Sequence, residues 1–313
     1  MYQIKRLSIE EALGHRRNII RYIYESVKNT SYEEAYQYSD AETKYEEMLT
    51  HMEEGTAVVC GAMAEEEMIG FIWGYQYPFR DDKERLYVSI LHVDERFRRC
   101  KVGKTLLSEI EKIGKTMGCH SVFLHAEAFN REAINFYDRM GYQMERIQLV
   151  KKKLTGEKYE RGGVKKITSQ QAYEYRKELA ELFLINTKAH ILTQSEDYQT
   201  AFVRITELID YIMQDKAIVY GYFDKKELAG FIWVFPYEYR KEERYLLNAI
   251  TVLPEYRKKH IASRLFESVE NEIYGKKTAL FTFVDVVNEK GRHFYQRHGM
   301  EEEAYQLVKN IHC

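Results

Sequence analysis

Arg98-Arg99-Cys100-Lys101-Val102-Gly103 places three cationic side chains between a strand-like run and an amphipathic helical pattern. Exposed backbone N–H groups and the helix dipole make such a helix start an anion site, suited to a pyrophosphate. A single basic run in that position is more often a solvated face. Here the element recurs as Arg257-Lys258-Lys259-His260-Ile261-Ala262 in the same strand-to-helix context, and the recurrence favours the anion site. Asn130 and Asn288 stand at two further helix starts, where the amide side chain caps the helix whether or not it also meets a ligand. The strand before the first basic turn carries one titrating candidate, His92, matched in the second copy by Thr251. The ten histidines form no HExxH-like spacing, and Cys60, Cys100, Cys119 and Cys313 form no CxxC pair. Reduced thiols and no metal are therefore expected.

These residues are positioned by a long-period repeat. Gly70-Phe71-Ile72-Trp73 recurs as Gly230-Phe231-Ile232-Trp233, and the two stretches hold the only tryptophans of the chain. The run Val93 to Arg99 is answered by Val252 to Lys258, and Asn130 to Gly141 by Asn288 to Gly299, with the separation drifting only from 160 to 158 residues. Two domains of like fold follow, divided within the charged segment Lys151 to Lys166 near Glu160, as residues 1–159 and 160–313. In each repeat an opening strand (Tyr2 to Leu7; Val164 to Ile167) precedes helical patterning over Ile19 to Glu53 or Tyr173 to Gln214. A hairpin follows, Thr56 to Ala64 with Met68 to Tyr77 and Ala217 to Phe223 with Leu228 to Phe235. In the first repeat a third strand, Leu86 to Val93, leads into a helix with apolar Val102, Leu106, Ile110, Ile113 and Met117, stopped by Gly118. Val122 to Ala126 is a further strand, and a helix capped by Asn130 ends before Gly141. The expected class is α/β, with strand-to-helix crossovers in each domain.

The chain resembles the GNAT acyltransferases, which carry Q/RxxGxG/A after their fourth strand and an NxxAxxFY-like helix start further on. Arg98 and Gly103 match the first loop, and Asn130, Ala133, Phe136 and Tyr137 match the second element. Arg257, Ala262, Asn288, Phe294 and Tyr295 do so in the other repeat, with Gly291 in place of the alanine. The first loop glycine is replaced by Lys101 and by His260, side chains that crowd the backbone approach to phosphate. The resemblance implies tandem GNAT domains, each a mixed, mostly antiparallel sheet flanked by helices, that use acetyl-CoA as acyl donor. Its implied binding residues are Leu91, His92, Val93, Arg98, Arg99, Cys100, Lys101, Val102, Gly103, Lys104, Asn130, Ala133, Phe136 and Tyr137. In the second repeat they are Val252, Arg257, Lys258, Lys259, His260, Ile261, Ala262, Asn288 and Tyr295. It further implies direct attack by a neutral amine in a ternary complex, with Tyr137, or Tyr295 in the repeat, as the acid for the departing thiolate. An aromatic at helical spacing is usually core, so the acid role competes with plain packing. Neither third strand offers a carboxylate, and Glu127, matched by Asp285, is the preferred base or amine anchor.

Lysine plus arginine (47) nearly balances aspartate plus glutamate (49), which disfavours a nucleic-acid partner. No apolar run reaches the length of a membrane span or forms a signal peptide, so a cytoplasmic location without membrane contact is expected. The helical segment before the first hairpin interleaves Glu33, Glu34, Asp40, Glu42, Glu46, Glu47, Glu53 and Glu54 with Tyr32, Tyr36, Tyr38 and Tyr45. Such a wall suits a cationic small molecule, and reads equally as a solvated helix face. The leading expectation is an N-acetyltransferase acting on a primary amine of a small molecule. A protein or peptide acetyltransferase and a CoA-binding protein without activity stay open, as do monomer and homodimer. The first repeat, with Gly103, is expected to carry most of the turnover.

Overall fold

The computed structural model describes residues 1–30, 36–78, 84–156, 162–190, 196–239 and 242–311. They form two compact units, residues 1–145 with 304–313 and residues 146–303.

The first repeat opens with β1 (Gln3–Arg6) and α1 (Ile9–Gly14). A capping box starts that helix: the Glu11 N–H donates to Ser8 Oγ while the Ser8 N–H donates to the Glu11 carboxylate. The patterning expected over Ile19 to Glu53 forms two helices, α2 (Arg16–Thr30) and α3 (Tyr38–Glu53). Next come β2 (Ala57–Ala64), β3 (Glu67–Pro78), β4 (Glu84–Val93), α4 (Val102–Thr116), β5 (Ser121–Glu127), α5 (Arg131–Arg139) and β6 (Gln143–Lys151). The second repeat runs β7 (Val164–Lys166), α6 (Ser169–Glu174), α7 (Arg176–Thr187), α8 (Tyr198–Met213), β8 (Ile218–Asp224), β9 (Glu227–Tyr239) and β10 (Glu242–Val252). It ends with α9 (Ile261–Ile273), β11 (Leu280–Asp285), α10 (Glu289–Arg297) and β12 (Glu301–Asn310). This is the expected mixed α/β architecture, twice over.

In the first unit the strand order is β1-β2-β3-β4-β5-β12, antiparallel except for β4 with β5. One face of the sheet packs on α2 and α3 through Ile19, Ile23, Tyr45, Met48, Phe71, Trp73 and Ile90. In α4, Val102, Leu106, Leu107 and Ile110 are also buried. The second unit mirrors this order as β7-β8-β9-β10-β11-β6, with Leu179, Leu182, Ile205, Leu208, Phe231 and Trp233 in its core. The glycines of the repeated Gly-Phe-Ile-Trp have a steric reason. A Cβ on Gly70 would lie 2.8 Å from the His92 carbonyl oxygen, and one on Gly230 2.9 Å from that of Thr251.

Chain order and spatial order part company at the last strand of each repeat. β12 lies antiparallel to β5, from Ala304–Glu127 to Asn310–Ser121, and β6 lies antiparallel to β11, from Arg146–Asp285 to Lys151–Leu280. The units therefore differ from the division expected near Glu160, a residue outside those described: each is closed by the strand that ends the other repeat. Ionic contacts fix the exchange. In the first unit Arg85 donates two bonds to Glu145 (2.8 and 2.7 Å), Gln306 donates a third (2.6 Å), and Lys309 pairs with Glu111 at 2.7 Å. In the second, Arg244 (2.7 Å) and Gln148 (2.8 Å) both donate to Glu303, and Lys151 pairs with Glu270 at 2.6 Å. Deletion of residues 304–313 should thus unfold the first unit and leave the second folded. Tryptophan fluorescence on single-tryptophan variants checks this: in the truncated chain Trp73 should move to a solvent-exposed emission while Trp233 should not. Retention of a buried Trp73 signal would overturn the strand assignment.

Candidate active site

The site begins where two parallel strands separate. Among the described residues β4 registers with β5 only over Arg85–Ser121, Leu86–Val122 and Tyr87–Phe123, yet β4 continues to Val93 and β5 to Glu127. A β-bulge lies just past the parting point, since Trp73 faces Ile90 and Gly74 faces Val88, leaving Ser89 as the extra residue. The second unit has the same device, with parallel register at Tyr245–Leu280 and Leu246–Phe281 and Asn248 extra between Leu247 and Ala249. The diverging edges carry Leu91, His92 and Val93 in one unit and Val252 in the other. Backbone groups on such edges have no ladder partner across the gap, so they can bond an extended ligand laid between the strands.

Beyond Val93 the chain makes one 3-10 turn, Glu95–Phe97, and enters the basic loop. Arg99 and Lys101 are both left-handed, at φ 63° and 66°, as are Lys258 and His260 at 63° and 58°. The replacement of glycine at Lys101 and His260 therefore preserves the backbone shape instead of changing it, at a strain on the order of 1 kcal/mol each. Lys101 and His260 are the N-caps of α4 and α9, and neither side chain makes a capping bond. The first-turn N–H groups of Val102, Gly103 and Lys104, like those of Ile261 and Ala262, have no partner within their helix. By contrast, α5 and α10 are capped: Asn130 Oδ1 accepts from the Ala133 N–H (3.1 Å), and Asn288 Oδ1 from the Gly291 N–H (2.9 Å). Of these four helices, the two that follow a basic loop lack a side-chain cap, which is the condition of an anion site. Their arginines differ: Arg98 lies 3.3 Å from Glu95, whereas Arg257 Nε donates to the Val252 carbonyl at 3.2 Å. Exposed Cys100 sits in this loop, while Cys60 and Cys119 are buried, their thiols pushed up to about 12 and about 11.

The acetyltransferase (GNAT) family matches the chain twice, over residues 21–142 and 179–300. The chain belongs to the GNAT acetyltransferase family. It is similar to an uncharacterized N-acetyltransferase, YdgE, of Bacillus subtilis (strain 168), 29% identical over 85 residues; the match spans 27% of this chain and 54% of that relative's length. Two solved structures share the fold along the whole chain. One is a tandem GNAT protein from the clavulanic acid biosynthesis pathway (TM-score 0.57, 13% identity, 100% of this chain and 99% of the other). The other is a GCN5-related N-acetyltransferase from Sphaerobacter thermophilus (TM-score 0.60, 15% identity, 100% and 96%).

Each GNAT unit holds its tyrosine differently. Tyr137 on α5 packs edge-on against Phe136 and Tyr142, and burial raises its phenol above the ordinary value. Burial pushes Tyr295 on α10 up to about 12, and its hydroxyl also bonds Thr282, which donates to the Leu247 carbonyl at 2.8 Å. The residue placed like Thr282 in β5 is Leu124, which has no such hydroxyl. The acids differ as well. Buried Glu127 stands opposite uncharged Ala304, whereas Asp285, wholly buried, stands opposite Arg146, whose Nε is 3.2 Å away, with His190 Nδ1 at 3.8 Å. His92 is no base: burial, then the Arg98 charge, lowers it to about 4, so the ring is neutral at neutral pH. It stacks on Tyr22 (4.6 Å), and Ser26 Oγ lies 2.9 Å from its Nδ1. Glu25 approaches Nε2 at 3.3 Å without hydrogen-bond alignment.

Several carboxylates of the acidic helix face approach neighbouring cations at exposed positions. Tyr32, Glu33 and Glu34 lie outside the described residues. Asp40 caps α3, Glu42 and Glu46 approach Arg16 (3.7 and 3.5 Å), Glu47 pairs with Lys44 (3.6 Å) and Glu54 with His51 (3.6 Å). Tyr45 is core, donating to the Ala12 carbonyl at 3.0 Å. What sequence reasoning missed is an aromatic wall at the parting point, formed by Tyr75, Tyr77, Tyr87, Phe123 and His125. Its signal was the alternation Phe123, His125, Glu127 along β5, which puts these three side chains on one face.

A left-handed backbone at position 101 has a direct test. Lys101→Val should destabilise the first unit by about 1–2 kcal/mol, because a β-branched side chain is least tolerated there. Lys101→Gly should leave stability unchanged or raise it by up to about 1 kcal/mol. Chemical denaturation followed through Trp73 in a Trp233→Phe background measures both, and equal stabilities would show that the residue is not left-handed.

Proposed function

We propose that the first unit transfers an acetyl group from acetyl-CoA to a primary amine of a small molecule, by direct attack and without a covalent intermediate on the chain. The observation that carries this reading is the uncapped, left-handed basic loop placed directly after two parted strands. The residues fit the donor. A Cβ on Gly103 would meet Val93 at 3.5 Å and Phe136 at 3.8 Å, ordinary contacts, so the fold itself does not demand glycine there. A bare backbone at that point suits a phosphate pressed against the helix start. Arg98, Arg99, Lys101 and Lys104 supply positive charge around it, and the edges at Leu91 to Val93 would hold the pantetheine. Bound there, acetyl-CoA supplies an activated thioester.

The chain's own groups then have defined tasks. Tyr137, held protonated by burial, keeps a proton for the sulfur as negative charge develops there. Glu127, on the face of β5 away from α4, accepts a proton from the incoming ammonium or anchors it. In the second unit Ala262 stands where the first has Gly103, and the corresponding phenol is engaged by Thr282, which supports an unequal pair in which the first unit turns over and the second is chiefly structural.

Two experiments test this. Tyr137→Phe should lower kcat by about 100-fold with little change in the KM for acetyl-CoA, while Tyr295→Phe should leave kcat within about twofold. Because the Tyr137 phenol lies above its ordinary value, the protonated form persists through neutral pH. The kcat profile should therefore show no falling limb below about pH 10. Unchanged kcat in Tyr137→Phe, or a falling limb near neutrality, would sink the assignment.

For the donor site, calorimetric titration with CoA should give one tight site per chain. Gly103→Glu should remove that site together with activity by setting a carboxylate against phosphate, and Ala262→Glu should spare most of both. The reverse pattern would move the active site to the second unit.

A further inference from the structure

We propose that Glu25, carried by α2 against His92 of β4, anchors the ammonium of the acceptor in the first unit. The proposal rests on the acyl-transfer reading above and adds a residue to the acceptor side.

The place follows from the strands. Tyr87 and Phe123 are the last registered pair of β4 and β5. Glu127 lies four residues beyond Phe123, and His92 lies five beyond Tyr87, one of them the extra residue of the bulge. At about 3.3 Å per residue both stand about 13 Å past that pair, level with each other on the two parted strands. His92 faces Phe71 in the ladder, and the two rings stack on Tyr22 at 4.6 and 6.2 Å, so His92 is on the side of the sheet that α2 covers. Ser26 Oγ lies 2.9 Å from His92 Nδ1, which ties α2 to the strand and brings Glu25 Oε2 to 3.3 Å from Nε2. A carboxylate on α2 is thereby set beside the edge that Leu91 to Val93 offer to the pantetheine.

That carboxylate keeps its charge. Burial and the Arg98 charge leave the His92 ring neutral at neutral pH, and its Nε2 makes no aligned bond, so the histidine stands against the acid without cancelling it. The other approach is that of Arg21, whose Nε is 3.9 Å from Oε1 and whose guanidinium sits over the Tyr22 ring. By contrast Asp94, just past the end of β4, accepts from Arg96 at 3.0 Å. The Glu25 side chain is 41% exposed, so a ligand can reach it. A carboxylate without an aligned donor is suited to an ammonium, which brings both a charge and three N–H groups.

The second unit separates the tie from the acid. Asn186 stands where Ser26 does and Thr251 where His92 does, and Thr251 Oγ1 donates to Asn186 Oδ1 at 3.4 Å. Helix is thus bound to strand in both units. Ile185 occupies the place of Glu25, so the shared frame does not require a carboxylate there.

The test uses the full chain with butylamine, spermidine, glucosamine and 2-phenylethylamine, each measured by acetyl-CoA consumption and by calorimetric titration of the CoA-loaded chain. For the amine with the highest kcat/KM, Glu25→Gln should raise the amine KM about tenfold or more and leave the acetyl-CoA KM within about twofold. Unfolding followed through Trp73 should be unchanged. Glu25→Asp, which keeps the charge, should recover part of the loss. Because the anchor is an ion pair open to solvent, raising salt from about 0.05 to about 0.5 M should weaken amine binding by the native chain and not by Glu25→Gln. An unchanged amine KM or Kd in Glu25→Gln, or equal rises for amine and acetyl-CoA, overturns the anchor while the transfer reading stands on its own test. Binding of no amine to the native chain overturns the proposal outright. If an amine binds and Glu25→Gln weakens it as stated, yet none is acetylated, the anchor holds and the transfer reading falls.

Discussion

Two parallel strands that stop pairing after three registered residues create the need that the rest of the site answers. Past Tyr87 and Phe123, the edges of β4 and β5 expose backbone donors and acceptors towards each other across a gap. Unmatched backbone groups within a sheet are costly unless a ligand or water meets them. The bulge at Ser89 turns β4 away from its neighbour, the basic loop receives β4 where it ends, and the aromatic wall stands where the gap closes. Each feature can be read as a consequence of that one parting.

Holding two strands apart requires a sheet that is firm elsewhere, and the firmness comes from repeated polar cross-links. Arg85, Glu145 and Gln306 form one set, and Arg244, Glu303 and Gln148 the other. A buried carboxylate that loses its guanidinium costs about 3–5 kcal/mol, so these sets penalise any other register of the exchanged strand. The frame is the same in both units, while the side chains inside it are not. Ala304 opposite Glu127 and Arg146 opposite Asp285 occupy equivalent places, and that exchange sets a guanidinium beside the acid of the second ladder.

Much of this frame was legible in the sequence. The two Gly-Phe-Ile-Trp runs, the two basic loops and the two asparagine caps are short-range signals, each fixed by local sterics or capping, and they placed the repeats, the loops and the helices α4, α5, α9 and α10. The two closing strands escaped notice. Nothing near Gln143 to Lys151 names a partner more than a hundred residues away, and pairing at that distance is decided by topology, not by local propensity. Roles within the site were legible only in part for a related reason. His92 read as titratable by type, yet its burial beside Tyr22 and Ser26 and near the charge of Arg98 makes it neutral. The acids of α3 read as a wall by composition, yet most face their own neighbours. Lys101 and His260 read as obstacles to phosphate by bulk, yet both adopt the backbone that glycine would have supplied.

The strand exchange also has a meaning in time. Leu124 and Leu307 are ladder partners 183 residues apart, so a nascent chain that has completed β5 has not yet made the strand that covers its edge. At synthesis rates of about 5–20 residues per second, roughly ten to forty seconds separate the two. During that interval β5 presents an open edge, the kind of surface on which chains mispair with one another. β6 likewise emerges before β11, its own partner, exists. The first sheet is finished only when residues 304–313 arrive, after every residue of the second unit has already been made.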